Sequence, residues 1–152
     1  MVDENLEGTT IAAGDYTVAD WKAHLWADAT RNTENAFRYD EDAEAIGEPG
    51  QLVPPSVCQH IVFEATGGVD ETMSYISDDW ESGAALGGLR VDFKAPLVAG
   101  EPLEIEGHIS EVQEKEGSSG PLTIVTLAYT ARDHTGEHIF DLEMDEILME
   151  GL

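Results

Sequence analysis

The sequence predicts an α+β domain in which a curved antiparallel sheet wraps around one long central helix. Two patterns carry that reading. The first is the longest apolar run of the chain, Gln51 to Gly68 (QLVPPSVCQHIVFEATGG), where Val57, Cys58, Ile61, Val62 and Ala65 recur at three- and four-residue steps. The second is strict alternation of apolar and polar residues in the half of the chain that follows, at Leu89–Phe93, Leu103–Ile109 and His138–Met149. A helix that is apolar on most faces has to be covered, and a sheet with one apolar face is the natural cover. At 152 residues the chain is long enough to bury a core without staples, so 1–152 reads as a single domain.

In order, Leu6 to Thr17 (LEGTTIAAGDYT) reads as a short first strand with a turn at Gly14-Asp15. Thr17 or Asp20 is expected to cap a helix through Trp21, Lys22, Leu25, Trp26 and Ala29, with Trp21, Leu25 and Ala29 as its apolar stripe. Thr30 to Gly50 is polar, acidic and irregular apart from a helical turn at Asp42–Ile46. The central helix is expected over about residues 54–66. Pro54 and Pro55 suit its first turn, where a missing N–H costs nothing, and Gly67-Gly68 suit its exit, where the left-handed conformation is cheap. His60 and Phe63 lie on its flanks. Gly68 to Gly88 reads as a loop or short helix.

The strands then lie mainly in 85–149. Leu89, Val91 and Phe93 fall on one side of the first, which Pro96 and Gly100-Glu101-Pro102 end in a turn. Leu103, Ile105, Gly107 and Ile109 alternate with Glu104, Glu106 and His108. Glu114–Gly120 reads as a hairpin tip, Leu122–Ala131 as a strand buried on both faces, and Asp133–Gly136 as a tight turn before a last strand through Phe140, Leu142 and Met144.

Charge narrows the function classes. Thirty-two acidic residues stand against seven basic ones, only three of them lysines, for a formal charge of −25 spread along the whole chain. Such a surface repels nucleic acid and anionic membrane, so neither is expected as a partner. It also repels itself unless salt shortens the Debye length to roughly 3 Å at 1 M, which points to the cytoplasm of a halophile. The N-terminal MVDENLEG has no apolar stretch, so no signal or transit peptide is expected, and no run approaches the ~20 apolar residues of a membrane span. One cysteine, Cys58, excludes a disulfide framework and reads as a reduced thiol in the core.

One long apolar helix followed by antiparallel strands is the layout of a hot-dog fold. The order YTVADWKAHLWADATRNTENAFRYDED, then VPPS opening the central helix, then LRVDFKAPLVAGEPLEIEGHISEV resembles the MaoC-like enoyl-thioester hydratases and dehydratases over nearly the whole chain. The segment Phe93-Lys94-Ala95-Pro96 with Gly100-Glu101 matches the later signature, and the interval from Asp40 to Val53-Pro54 matches without a gap. The resemblance implies a hot-dog fold, an acyl-CoA or acyl-carrier thioester as ligand, and (R)-specific enoyl hydration or 3-hydroxyacyl dehydration by an aspartate–histidine dyad. Here that dyad is replaced. Aligned forward from Trp26-Ala27-Asp28-Ala29-Thr30, the aspartate falls on Asn32 and the histidine on Phe37; aligned backward from Asp40, they fall on Thr33 and Arg38, with Asn35-Ala36 in place of Asn-Pro. An amide or hydroxyl orients water without accepting its proton, and arginine stays protonated.

The candidate catalytic positions are therefore Asn32, Thr33 and Arg38, and the candidate substrate-binding residues Asn35, Pro55, Ser56, Val57 and His60. The N–H groups of Ser56 and Val57, at the positive end of the helix dipole, suit a thioester carbonyl. Arg38 suits a ligand carboxylate or phosphate, or an ion pair with Asp40 or Glu41. His60 either borders the ligand or is packed and hydrogen-bonded. His24, His108, His134 and His138 carry no assigned role, and the acid pairs Asp79/Glu81 and Asp40/Asp42 read as solvated surface. No metal motif, cofactor motif or serine elbow occurs. Three functions remain open: a hydratase or dehydratase with an altered loop, a non-catalytic subunit of a hetero-oligomeric dehydratase, and a hot-dog thioesterase. A single curved sheet leaves an edge and a groove wall to be completed, so a homodimer or a hetero-oligomer with a related hot-dog subunit is expected.

Overall fold

A computed structural model of the chain describes residues 4–77, 83–118 and 120–149; Asp79 and Glu81 lie outside them. Its frame is one antiparallel sheet built mostly from β3 (Ala84–Phe93), β4 (Pro102–Gly117), β5 (Gly120–Asp133) and β6 (His138–Met149). Two short strands, β1 (Thr10–Ile11) and β2 (Asp15–Thr17), both pair with β4, and the order across the sheet is β1-β4-β5-β6-β3. The single first strand expected over Leu6–Thr17 is thus two strands, because at Gly14 the N–H turns to the Ala65 carbonyl of α3 while the carbonyl still accepts from Ile105 of β4.

The central helix is a 3-10 turn at Pro55–Val57 running into α3 (Cys58–Thr66), and Gly67 ends it in the left-handed conformation at φ 107°. The sheet swallows it. Val57, Cys58, Ile61 and Val62 are buried in one cluster with Ile105, Ile109, Val125, Leu127, Tyr129, Phe140, Leu142 and Met144. Gly107 is fixed by this packing: a Cβ there would stand 2.6 Å from the Tyr129 ring. Arranged in this way, helix and sheet form a hot-dog fold. A further short helix, α4 (Val69–Ser74), follows Gly68 and buries Thr72 and Met73.

Several local expectations are corrected. The first helix, α1 (Asp20–Ala29), has Ala19 at its N-cap with no side-chain cap, and Asp20 Oδ1 accepts instead from the Trp21 N–H. Its buried face is Ala23 and Ala27, whereas Trp21 and Leu25 are 62% and 59% exposed. Small side chains let α1 approach the core closely, so bulk and burial are inverted along it. The hairpin tip is shorter than Glu114–Gly120, since β4 runs to Gly117 and β5 starts at Gly120. On β5, buried and half-buried residues alternate, so its outer face is only partly covered. The expected turn at Asp42–Ile46 is the one-and-a-half-turn helix α2 (Asp40–Ala45). No helix among the described residues is long and apolar enough to cross a membrane.

Candidate functional site

The first turn of the central helix and the segment between α1 and α2 come together at one end of the fold. A buried glutamine ties them. The Gln51 backbone N–H donates to the Asp40 carboxylate at 2.8 Å, and its Nε2 donates to the carbonyls of Asp20 and Phe37 at 3.0 and 3.1 Å. The chain then enters the helix turn through Val53, whose N–H reaches the Leu97 carbonyl at 2.8 Å. Asp40 is therefore an acceptor for backbone.

At the turn itself, Pro54 is buried while Pro55 and Ser56 are exposed. The Val57 N–H donates to the Pro54 carbonyl at 3.1 Å, and the Cys58 N–H to the Pro55 carbonyl. The expected pair of free amides at Ser56 and Val57 is thereby corrected to one. The 3-10 geometry consumes the second, and Ser56 N–H alone has no acceptor within the turn among the described residues. Trp26 of α1 fixes the turn from outside, its Nε1–H donating to Ser56 Oγ at 2.8 Å.

The loop after α1 holds its own side chains. Arg31 adopts φ 56°, the one non-glycine in the left-handed region among the described residues. Asn32 Oδ1 accepts from the Glu34 N–H at 3.0 Å. Arg38 bonds Asp28 Oδ1 through Nε at 3.0 Å and a terminal nitrogen at 2.7 Å, and its other terminal nitrogen reaches the Glu34 carbonyl. Its side chain is 13% exposed, and the partner is Asp28 of α1 rather than Asp40 or Glu41. Thr33 and Asn35 are exposed, and the Asn35 carbonyl accepts from the N–H groups of Arg38 and Tyr39. None of the side chains of Asn32, Thr33, Asn35 and Arg38 can take a proton from water near neutrality.

His60 is packed and hydrogen-bonded one turn along α3. Its ring stacks obliquely on Trp26 with centroids 5.8 Å apart and meets Tyr16 edge-on at 6.0 Å. Nε2 lies 3.3 Å from both the Tyr16 hydroxyl and Lys22 Nζ, and Lys22 donates to that hydroxyl at 2.8 Å. Sequence reasoning assigned no role to Tyr16 or Lys22; the only signal was a lysine on an acidic chain. No carboxylate is among the hydrogen-bond partners of Ser56 or His60 among the described residues.

Two further reactive groups are buried in the core. Burial pushes the Cys58 thiol up to about 12, so it is not a thiolate nucleophile. Glu146 is 6% exposed on the core face of β6, and burial first, then Asp145, raises its carboxyl above the usual range. No group of three His, Cys, Asp or Glu among the described residues can hold a metal ion. The inner face of edge strand β3 stays partly open: Leu89 and Phe93, opposite Met144 and Phe140, are exposed although they face the core side.

The chain is similar to known proteins in sequence and in fold. A family model described as FAS1-like, dehydratase domain region, matches residues 5–142. A UPF0336 protein of Streptomyces coelicolor is 26% identical over 139 residues, 91% of this chain and 89% of that protein. The crystal structure of a C-terminally truncated HadBC (3R-hydroxyacyl-ACP dehydratase) complex from Mycobacterium tuberculosis has a TM-score of 0.79 at 18% identity, covering 93% of this chain and 96% of the matched one. The ChsH1-ChsH2 complex from the same organism has a TM-score of 0.73 at 17% identity, covering 92% and 83%. At these identities the two solved structures speak to the fold.

Proposed function

The chain belongs to the FAS1-like dehydratase-region family, the MaoC-like hot-dog dehydratases, and on that premise we propose that it binds acyl thioesters without hydrating them, as the non-catalytic subunit of a hetero-oligomeric dehydratase. The observation that carries this reading is the loop. In either register the dyad positions hold no proton acceptor, Asn32 is spent on the Glu34 N–H, and Arg38 is clamped by Asp28. No side chain at those positions takes the proton of a water placed there.

The binding half of the site is retained in this reading. The Ser56 N–H and the positive end of α3 polarise the thioester carbonyl, with Pro55 and His60 along the wall and Thr33 and Asn35 on the exposed rim. The acyl group is carried on CoA or on a carrier protein, and the apolar side chains left exposed on β3, Leu89 and Phe93, suit contact with a second chain. A related hot-dog chain supplies the aspartate and histidine and completes the groove. Strand β3 supports such an assembly, because it ends the sheet and presents one side of its backbone unpaired. HadBC and ChsH1-ChsH2, both similar in fold, are complexes.

Reconstitution tests the proposal. In molar KCl, the chain mixed with a MaoC-like partner that carries the dyad is expected to form a stable hetero-oligomer that hydrates crotonyl-CoA. Removing the partner's histidine abolishes turnover, while Thr33→Ala or Asn32→Ala in this chain does not. Hydration lost on Asn32→Ala or Thr33→Ala would instead make this chain an active hydratase with an altered loop. Release of free CoA from acyl-CoA would make it a thioesterase.

A further inference from the structure

The cluster of Lys22, Tyr16 and His60 is left over from that account. All three side chains are half-buried. The Lys22 ammonium stands 5.5 Å from the Tyr16 ring centroid and 6.0 Å from that of Trp21, and among the described residues it has no carboxylate partner. Its company is two aromatic rings and an imidazole, whereas Lys94 is paired with Asp92, Arg38 with Asp28 and Arg90 with Glu143.

Hydrogen-bond bookkeeping shows what the cluster lacks. The ammonium carries three N–H donors and the tyrosine one O–H, whereas a neutral imidazole offers one acceptor nitrogen. Nε2 accepts from either Lys22 or Tyr16, and the Tyr16 oxygen accepts from Lys22. Every internal acceptor is then used, and donors with a positive charge behind them remain. Such a group is complementary to an anionic oxygen pair.

Position selects the anion. His60 lies four residues beyond Ser56 on the central helix, roughly 6 Å along its axis. Trp26 bridges the two, bonded to Ser56 Oγ at 2.8 Å and stacked on His60 at 5.8 Å. A carboxylate on the fourth carbon of an acyl chain stands about 5 Å from its own thioester carbonyl, from carbon–carbon bonds of about 1.5 Å. A pantetheine phosphate is separated from the thioester by a much longer arm. Resting on the thioester-binding reading above, we propose that Lys22, Tyr16 and His60 form a carboxylate-recognition site, and that the acyl group taken here is a short dicarboxylic one bound through a single thioester. A chain of net charge −25 repels a free acyl carboxylate over most of its surface, so a half-buried cation at contact distance gives the discrimination.

Titration calorimetry in molar KCl with succinyl-CoA, butyryl-CoA and butyryl-pantetheine tests this. The first two have equal carbon count and differ in the carboxylate. The wild-type chain is expected to bind succinyl-CoA at least about 10-fold more tightly than butyryl-CoA, as for a charged hydrogen bond. Lys22→Met brings that ratio near one, Lys22→Arg keeps most of it, and Tyr16→Phe lowers it part-way, which serves equally should Lys22→Met fail to fold. A wild-type ratio near one, with butyryl-CoA bound, overturns the carboxylate site alone. So does a preference that survives Lys22→Met, or a Lys22→Met loss seen with butyryl-CoA but not with butyryl-pantetheine, which would assign the ammonium to a phosphate. If no ester binds, the thioester reading falls first and this one with it.

Discussion

At Arg38 the planar guanidinium meets Asp28 through two nitrogens, and the energetics follow from a side chain 13% exposed facing one 53% exposed. A half-screened pair of this kind is worth about 1 kcal/mol. Arg38→Ala is expected to lower unfolding free energy by about that amount, and a double-mutant cycle with Asp28→Ala to return a coupling of about 0.5–1 kcal/mol. A cycle that returns zero would free Arg38 for another role. Glu146 carries a prediction of opposite sign in pH. Its folded carboxyl titrates above the unfolded one, so the native state binds the extra proton. Its stabilising contribution is whole below the ordinary glutamate range and is lost as pH rises through the raised native value. Glu146→Gln should therefore gain stability relative to the wild type as pH rises from acid to neutral, read from melts across that range; a difference constant in pH would contradict the burial argument. Neither partnership was legible beforehand. Asp28 sits ten residues from Arg38 across a loop whose turn depends on Arg31 in a left-handed conformation, and Glu146 reads as one acid among 32.

Among the elements, α1 shows where pattern reading fails. Large apolar side chains at Trp21 and Leu25 suggested the inward stripe, but Ala23 and Ala27 face the core because the helix lies too close for bulk. Ala27→Leu is expected to cost about 1–3 kcal/mol by overpacking, whereas Leu25→Ala stays within about 0.5 kcal/mol, the usual range for surface changes. The reverse ranking in denaturant melts would restore the sequence reading. The extent and burial of the central helix were legible, since proline at its start, glycine at its end and the three–four spacing all encode one buried cylinder. What the spacing did not encode was the 3-10 first turn that spends the Val57 N–H on Pro54 and leaves Ser56 N–H as the donor. Strands β4 and β6 were legible from alternation because one of their faces meets the helix and the other solvent. On β3 the same alternation named the right face, yet Leu89 and Phe93 remain exposed, since burial of an edge strand depends on what lies beyond it.

For the molecule as a whole, the charge of −25 governs behaviour more than any single contact. Dispersed like charges repel over a Debye length that falls from about 30 Å at 0.01 M salt to about 3 Å at 1 M. The melting temperature is expected to rise by tens of degrees between dilute buffer and molar KCl, and a melt indifferent to salt would contradict a halophilic setting. Whole-chain order of motifs made the hot-dog fold readable from sequence, while the site was readable only as an interval: loop, proline pair, helix. The chemistry at that interval is the central claim, that a dehydratase scaffold here binds without turning over. The most direct measurement is single-chain kinetics in molar KCl with crotonyl-CoA, following binding by tryptophan fluorescence and hydration by loss of the enoyl absorbance in the same sample. Saturable binding with no hydration is expected of the purified chain alone. Turnover by that chain alone, carried by no partner, would contradict it.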